Sequence, residues 1–206
     1  MFKDFLIEIG ACHEAIEFAE GKTWEEFYKT CQKGRLLLGI FVKTNPKNKR
    51  LRVLVEGRIA DSVSHYLIDR RKSSISTELF AYGEDFLTVE DAALSAHVLN
   101  VKLAIAAAIQ YGNKKIGDDS LKQFRESALN AARFLGLKAK MSSICEDKAM
   151  AWAALAATDE AFEEKFISAA SMAAYEYGYE ERKAHEMEAA DILRRCIAIK
   201  AFKIKM

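Results

Sequence analysis

Val89-Glu-Asp-Ala-Ala-Leu-Ser-Ala-His-Val-Leu-Asn-Val-Lys-Leu-Ala-Ile-Ala-Ala-Ala-Ile-Gln-Tyr111 is the stretch on which the fold turns. It contains no glycine or proline, and its apolar residues fall on nearly every side of a 3.6-residue period. A helix of that kind belongs in the middle of a fold, packed on every side, and is expected to be the most buried one in the chain. Thr88 to Asp91 supplies its start signal, a hydroxyl residue followed by acids in the first turn. His97, Asn100 and Lys102 interrupt Ala92 to Ile109 and argue against a membrane span.

Outward from this stretch the pattern stays helical. Towards the N-terminus, Lys49 to Ile68 carries an apolar stripe of Leu51, Leu54, Val55, Ile59, Val63 and Leu67, and a shorter helix is expected to reach Tyr82 before Gly83. Phe2 to Ala19 reads as one helix ended by Gly21. Thr23-Trp24-Glu25-Glu26 forms a capping box for a helix that stops near Gly34, and Leu36 to Val42 is a further apolar segment closed by Asn45-Pro46. Towards the C-terminus, helices are expected from Ser120 to a stop at Gly136, from Ser142 to Ala157, from Asp159 to Tyr177, and from Tyr179 to about Ile199. Only the tail, Ile197 to Met206, alternates. The fold class is therefore all-α: one domain over residues 1–206, a compact bundle of about nine helices, with stacked helical pairs as a possible arrangement.

Composition agrees. Half the residues are hydrophobic and 30% are charged, which is globular rather than disordered, and one proline suits a chain of long helices. Alanine pairs recur at Ala106 to Ala108, Ala131-Ala132, Ala153-Ala154, Ala156-Ala157, Ala169-Ala170 and Ala173-Ala174, small enough to let helix axes approach closely. Cys12, Cys31, Cys145 and Cys196 form no CxxC pair and read as buried free thiols. No secretory leader is apparent in Met1 to Gly10, and a cytoplasmic protein is expected.

Net charge is +1, but it is unevenly distributed. Lys43 to Lys72 holds nine bases against three acids, whereas Asp159 to Asp191 holds ten acids against three bases. The acidic run, with Asp159, Glu160, Glu163, Glu164, Glu180 and Glu181, is the candidate contact for a basic protein partner. The basic run is weaker as a contact. Its core, Lys47 to Arg52, lacks interleaved aromatics and faces an acidic other half, which argues against nucleic acid.

Signals for catalysis are absent. No phosphate loop and no nucleophile elbow occur. Glu181, His185 and Glu188 share a face of the last helix but read as surface ion pairs, because a di-iron bundle needs paired Glu-x-x-His motifs. Cys12 and His13 are adjacent on one helix and point apart, so they make no dyad. His97 reads as a hydrogen-bonded core histidine. No metal, cofactor or enzymatic activity is expected. Asp69-Arg70, where the Lys49 helix ends, reads as a structural junction in which the acid caps one helix and the arginine bridges carbonyls. Asp191 in the closing helix is grouped with it.

Gly10-Ala11-Cys12, Thr23 to Glu26 with Cys31 to Leu38, Asp69-Arg70, the alanine-rich stretches and the closing Ala190-Asp191-Ile192-Leu193-Arg194 together resemble one known family. It is the immunity-five-like group of immunity proteins, found in bacteria and phages with polymorphic toxin systems. The resemblance implies an all-α fold and neutralisation of a toxin by direct protein contact. The Lys/Asp-rich spacer Asn113 to Asp119 and the basic, apolar tail Ile199 to Met206 depart from the family pattern. Two alternatives stand beside it: a structural or assembly module that homodimerises through an alanine-rich face, and a phage-borne inhibitor of a host defence enzyme.

Overall fold

The computed structural model describes residues 2–67, 89–141, 143–158, 165–202 and 204. Among them every regular element is helical, as expected, and ten α-helices are present, close to the expected number. They are α1 (Phe2–Glu8), α2 (His13–Phe18), α3 (Trp24–Thr30), α4 (Gly34–Thr44), α5 (Lys49–Ser62), α6 (Val89–Gly112), α7 (Asp118–Met141), α8 (Cys145–Ala156), α9 (Lys165–Tyr175) and α10 (Tyr179–Cys196). Short 3-10 turns cover Ser64–Tyr66 and Ile199–Phe202.

Local chemistry explains where these helices start and stop. The Thr23 capping box is complete: the Glu26 amide donates to Thr23 Oγ1 at 3.3 Å, and the Thr23 amide donates to Glu26 Oε2 at 2.8 Å. The single helix expected over Phe2 to Ala19 is instead two. Gly10, at φ +65°, takes a left-handed turn in which the Ala11 amide reaches the Leu6 carbonyl and the Gly10 amide that of Ile7, a Schellman cap. Gly136, expected as a stop, lies inside α7, because the buried stripe Leu121, Ala128, Ala131, Leu135 continues to Ala139. α5 ends at Ser62 rather than Ile68. Ser62 turns its hydroxyl back onto the Ile59 carbonyl at 2.7 Å, and the chain tightens into a 3-10 turn.

The hub of the bundle is α5, which packs against α6, α8, α9 and α10. α6 lies between α5 and α7, and its outer face is solvent-exposed, so it is not the helix buried on every side that its composition implied. Its apolar surplus exceeds what its two main neighbours cover. Ala92–Gly112 is long and apolar enough to cross a membrane; here its inner side, with Val101, Ala104, Ile105 and Ala108, is buried in the bundle.

Small residues set the spacing. A Cβ on Gly57 would stand 3.0 Å from the Ala108 Cβ, and one on Gly34 would stand 2.8 Å from the Ala189 backbone. Ala149, Ala153, Ala154, Ala169, Ala170, Ala173, Ala189 and Ala190 are all buried where α8, α9 and α10 meet their neighbours. At the other end, the tail returns to the bundle. Phe202 is fully buried, its ring 4.9 Å from Trp24 and 5.5 Å from Phe41. Of the four thiols, all expected to be buried, only Cys31 is; Cys145 and Cys196 are half-buried and Cys12 is exposed.

Candidate functional site: an acidic edge lined with tyrosine

The turn from α9 into α10 is made by Gly178 at φ +139°, where a Cβ would also collide with Glu181 Oε2 at 2.8 Å. The turn carries Tyr175, Tyr177 and Tyr179, which remain 40 to 68% exposed. Tyr66, from the 3-10 turn after α5, stacks on Tyr177 with centroids 4.9 Å apart and planes 18° from parallel. The Arg182 guanidinium lies 5.7 Å from the Tyr175 ring and bonds Glu186 at 3.2 Å.

Carboxylates surround these rings. Partial burial, then the charges of Glu181 and Glu188, push the Tyr66 phenol above its ordinary pKa; burial followed by Glu146 does the same to Tyr177. Both therefore stay protonated donors at neutral pH. Aromatic rings with hydroxyl tips, half-exposed among carboxylates, have the composition of an interface centre, apolar in body and polar at the rim.

Of the residues singled out in the acidic run, Glu180 and Glu181 lie here, exposed on the first turn of α10. There they also favour the positive end of the helix dipole. Asp159, Glu160, Glu163 and Glu164 lie outside the described residues, as do Asp69 and Arg70. Asp191 holds Arg194 at 2.7 Å, and that guanidinium donates to the Tyr28 carbonyl at 2.9 Å and to the carbonyl of Cys31, closing the end of α3. The tyrosines were not singled out from sequence, although three in five residues was a readable signal.

The histidines differ from their expected settings. His185 does not join Glu181 and Glu188 at the surface; it is buried, with Ser62 Oγ 3.2 Å from Nε2 and Ser171 Oγ 3.3 Å from Nδ1. His97 is only half-buried and stacks on Phe134 at 4.2 Å, and its Nδ1 has no hydrogen-bond partner among the described residues. His13 pairs with Glu17 at the surface, 3.1 Å apart.

A cleft of about 440 Å³ between α5 and α10 has Ser62 and Cys196 on its wall, beside Arg58, Asp61, Glu188 and Arg195. Neither wall residue is an activated nucleophile. Where the Ser62 hydroxyl donates to the Ile59 carbonyl, the matching tautomer has His185 Nε2–H donating to Ser62, which puts no base on that hydroxyl. Burial raises the Cys196 thiol pKa, against the opposing pull of Arg58 and Arg195. Among the described residues no group of three or more His, Cys, Asp or Glu side chains converges on a possible metal position. No protein-family model, curated protein or solved structure matches the chain.

Proposed function

We propose that this chain is a non-enzymatic, cytoplasmic binding protein of the immunity type, which neutralises a toxin or other enzyme by covering a basic surface on it. The observation that carries the reading is the tyrosine-lined edge at the α9–α10 turn, with Glu146, Glu180, Glu181 and Glu188 around it. Tyrosines supply anchors with little side-chain entropy to lose, and the carboxylates steer a basic partner towards them. A rigid, close-packed helical bundle holds that edge in place before contact. Nuclease toxins tend to present basic clefts, which fits an acidic inhibitor surface.

The test is neutralisation of any toxic protein encoded by a gene neighbouring this one. Co-expression should restore growth, and the purified pair should bind in a calorimeter. Tyr177→Ala combined with Glu181→Lys should abolish both effects while circular dichroism stays helical. Full neutralisation by that variant, or no interaction with any neighbouring gene product, would remove the reading.

A further inference from the structure

The outer face of α6 exposes Ala92, Ala96, Leu99, Leu103, Ala106 and Gln110, at spacings of four, three, four, three and four residues. That is the 3-4 rhythm of a coiled-coil seam, and among the described residues nothing covers it. It is also symmetric about Val101: Leu99 mirrors Leu103, Ala96 mirrors Ala106, and Ala92 mirrors Gln110. We propose that a second copy of this chain docks here, α6 against α6 antiparallel, about a two-fold axis passing between Leu99 and Leu103 on the outer face, level with Val101.

Symmetry and area both favour this occupant. A two-fold interface needs a surface that complements itself. Antiparallel pairing about Val101 provides that, setting leucine on leucine at the centre and alanine on alanine further out. The small residues allow close axial approach along a seam of about 27 Å. Beside it runs α7, antiparallel to α6, where Phe134 stacks on His97 and Leu137 and Met141 continue the same exposed side. Leu99, Leu103, Phe134, Leu137 and Met141 are 38 to 91% exposed. With the alanines they amount to on the order of 600–800 Å² per chain, above a monomer's usual largest patch and close to half of a standard interface. Lys102 is the one Lys, Arg, Asp or Glu between Ala92 and Gln110; it flanks the seam, where its stem can cover apolar surface while the ammonium reaches water. This face is on different helices from the tyrosine edge, so the inference does not depend on the proposed partner.

Sedimentation velocity of the full chain across the micromolar range is the direct test. The wild type should sediment as a dimer, and Leu103→Glu should give a monomer with unchanged helical circular dichroism. Disulfide trapping in a Cys12→Ser background fixes the geometry and covers the case in which Leu103→Glu fails to fold. Ala96→Cys protein mixed with Ala106→Cys protein should crosslink, and neither should crosslink to itself. A monomeric wild type overturns the proposal, whether or not it binds phosphatidylcholine vesicles through this face. So does Ala96→Cys trapping itself, which would mean parallel pairing, or a dimer indifferent to Leu103→Glu.

Discussion

Ser62 on α5 and His185 on α10, 123 positions apart, meet at 3.2 Å between Oγ and Nε2 and tie the hub helix to the last one. The Ser62 proton goes to the Ile59 carbonyl and Ser171 sits 3.3 Å from Nδ1, so a single ordering satisfies all three groups. Ser171 donates to Nδ1, Nε2–H donates to Ser62, and Ser62 donates to Ile59. The imidazole is thus a neutral, structural link between helices. Protonating it would add a second donor where Ser171 already donates.

This arrangement makes stability depend on pH. Burial, and secondarily the charge of His65, lowers the His185 pKa to about 4 from an ordinary 6.5. Between those values the unfolded chain binds more protons than the folded one, so stability should fall as pH drops from about 6.5 to 4, by roughly 3 kcal/mol. Urea denaturation at several pH values measures the slope. His185→Gln should flatten it in that window, because carboxylates titrating nearby are common to both proteins; an unchanged slope would disconnect His185 from the effect.

Much of this molecule was legible in its sequence, and the misses share a cause. Caps and stripes are local, so the Thr23 box and the all-α class could be read directly. Gly10 and Gly136 look alike in sequence, but only tertiary packing decides that α7 runs on through Gly136 while Gly10 turns the chain. The acid-flanked setting of His185 pointed outward, yet the residue buries itself because Ser62 and Ser171, from two other helices, complete its hydrogen bonds. α6 was read as fully buried from composition alone, which records how apolar a helix is but not how many neighbours it has. Within the candidate site, charge density singles out Glu180 and Glu181 in the sequence. The tyrosines were missed because their exposure depends on the turn at Gly178.

Two glycines should respond oppositely to alanine. At Gly34 the added methyl meets the Ala189 and Ala190 backbone at 2.8 to 2.9 Å, so α4 must move away from α10 and the cost should be about 1–3 kcal/mol. At Gly136 the methyl meets nothing within 4 Å, and alanine should stabilise α7 by roughly 0.5–1 kcal/mol. Thermal melts of Gly34→Ala and Gly136→Ala should move apart in opposite directions.

Glu56 of α5 is shared by Arg125 at 2.9 Å and Arg52 at 3.2 Å, with Glu56 and Arg125 almost wholly removed from water. Glu56→Leu leaves a guanidinium buried without this carboxylate and should cost about 3–5 kcal/mol. Adding Arg125→Met should recover part of that loss, because it also removes the buried guanidinium that Glu56 neutralises. A double-mutant cycle by chemical denaturation checks the sign; additive losses would mean the pair is not coupled.

The working surface is the last matter to decide, and salt separates the possibilities. If the acidic edge docks a basic partner, association should slow as ionic strength rises, because exposed charges are screened over about 8 Å at physiological salt. Glu180→Lys with Glu181→Lys should lower the on-rate and leave the fold intact, since both side chains are exposed on α10. Tyr177→Ala should instead raise the off-rate, with a loss of about 2 kcal/mol in affinity for an anchor of this type. The control is Lys47→Glu with Lys49→Gln on the basic side; the second change avoids setting an acid against Asp118, which Lys49 contacts at 2.5 Å. Stopped-flow binding of the four proteins reads both rates. Should the control abolish binding while the edge variants bind as the wild type does, the contact lies on the basic side and the partner is acidic.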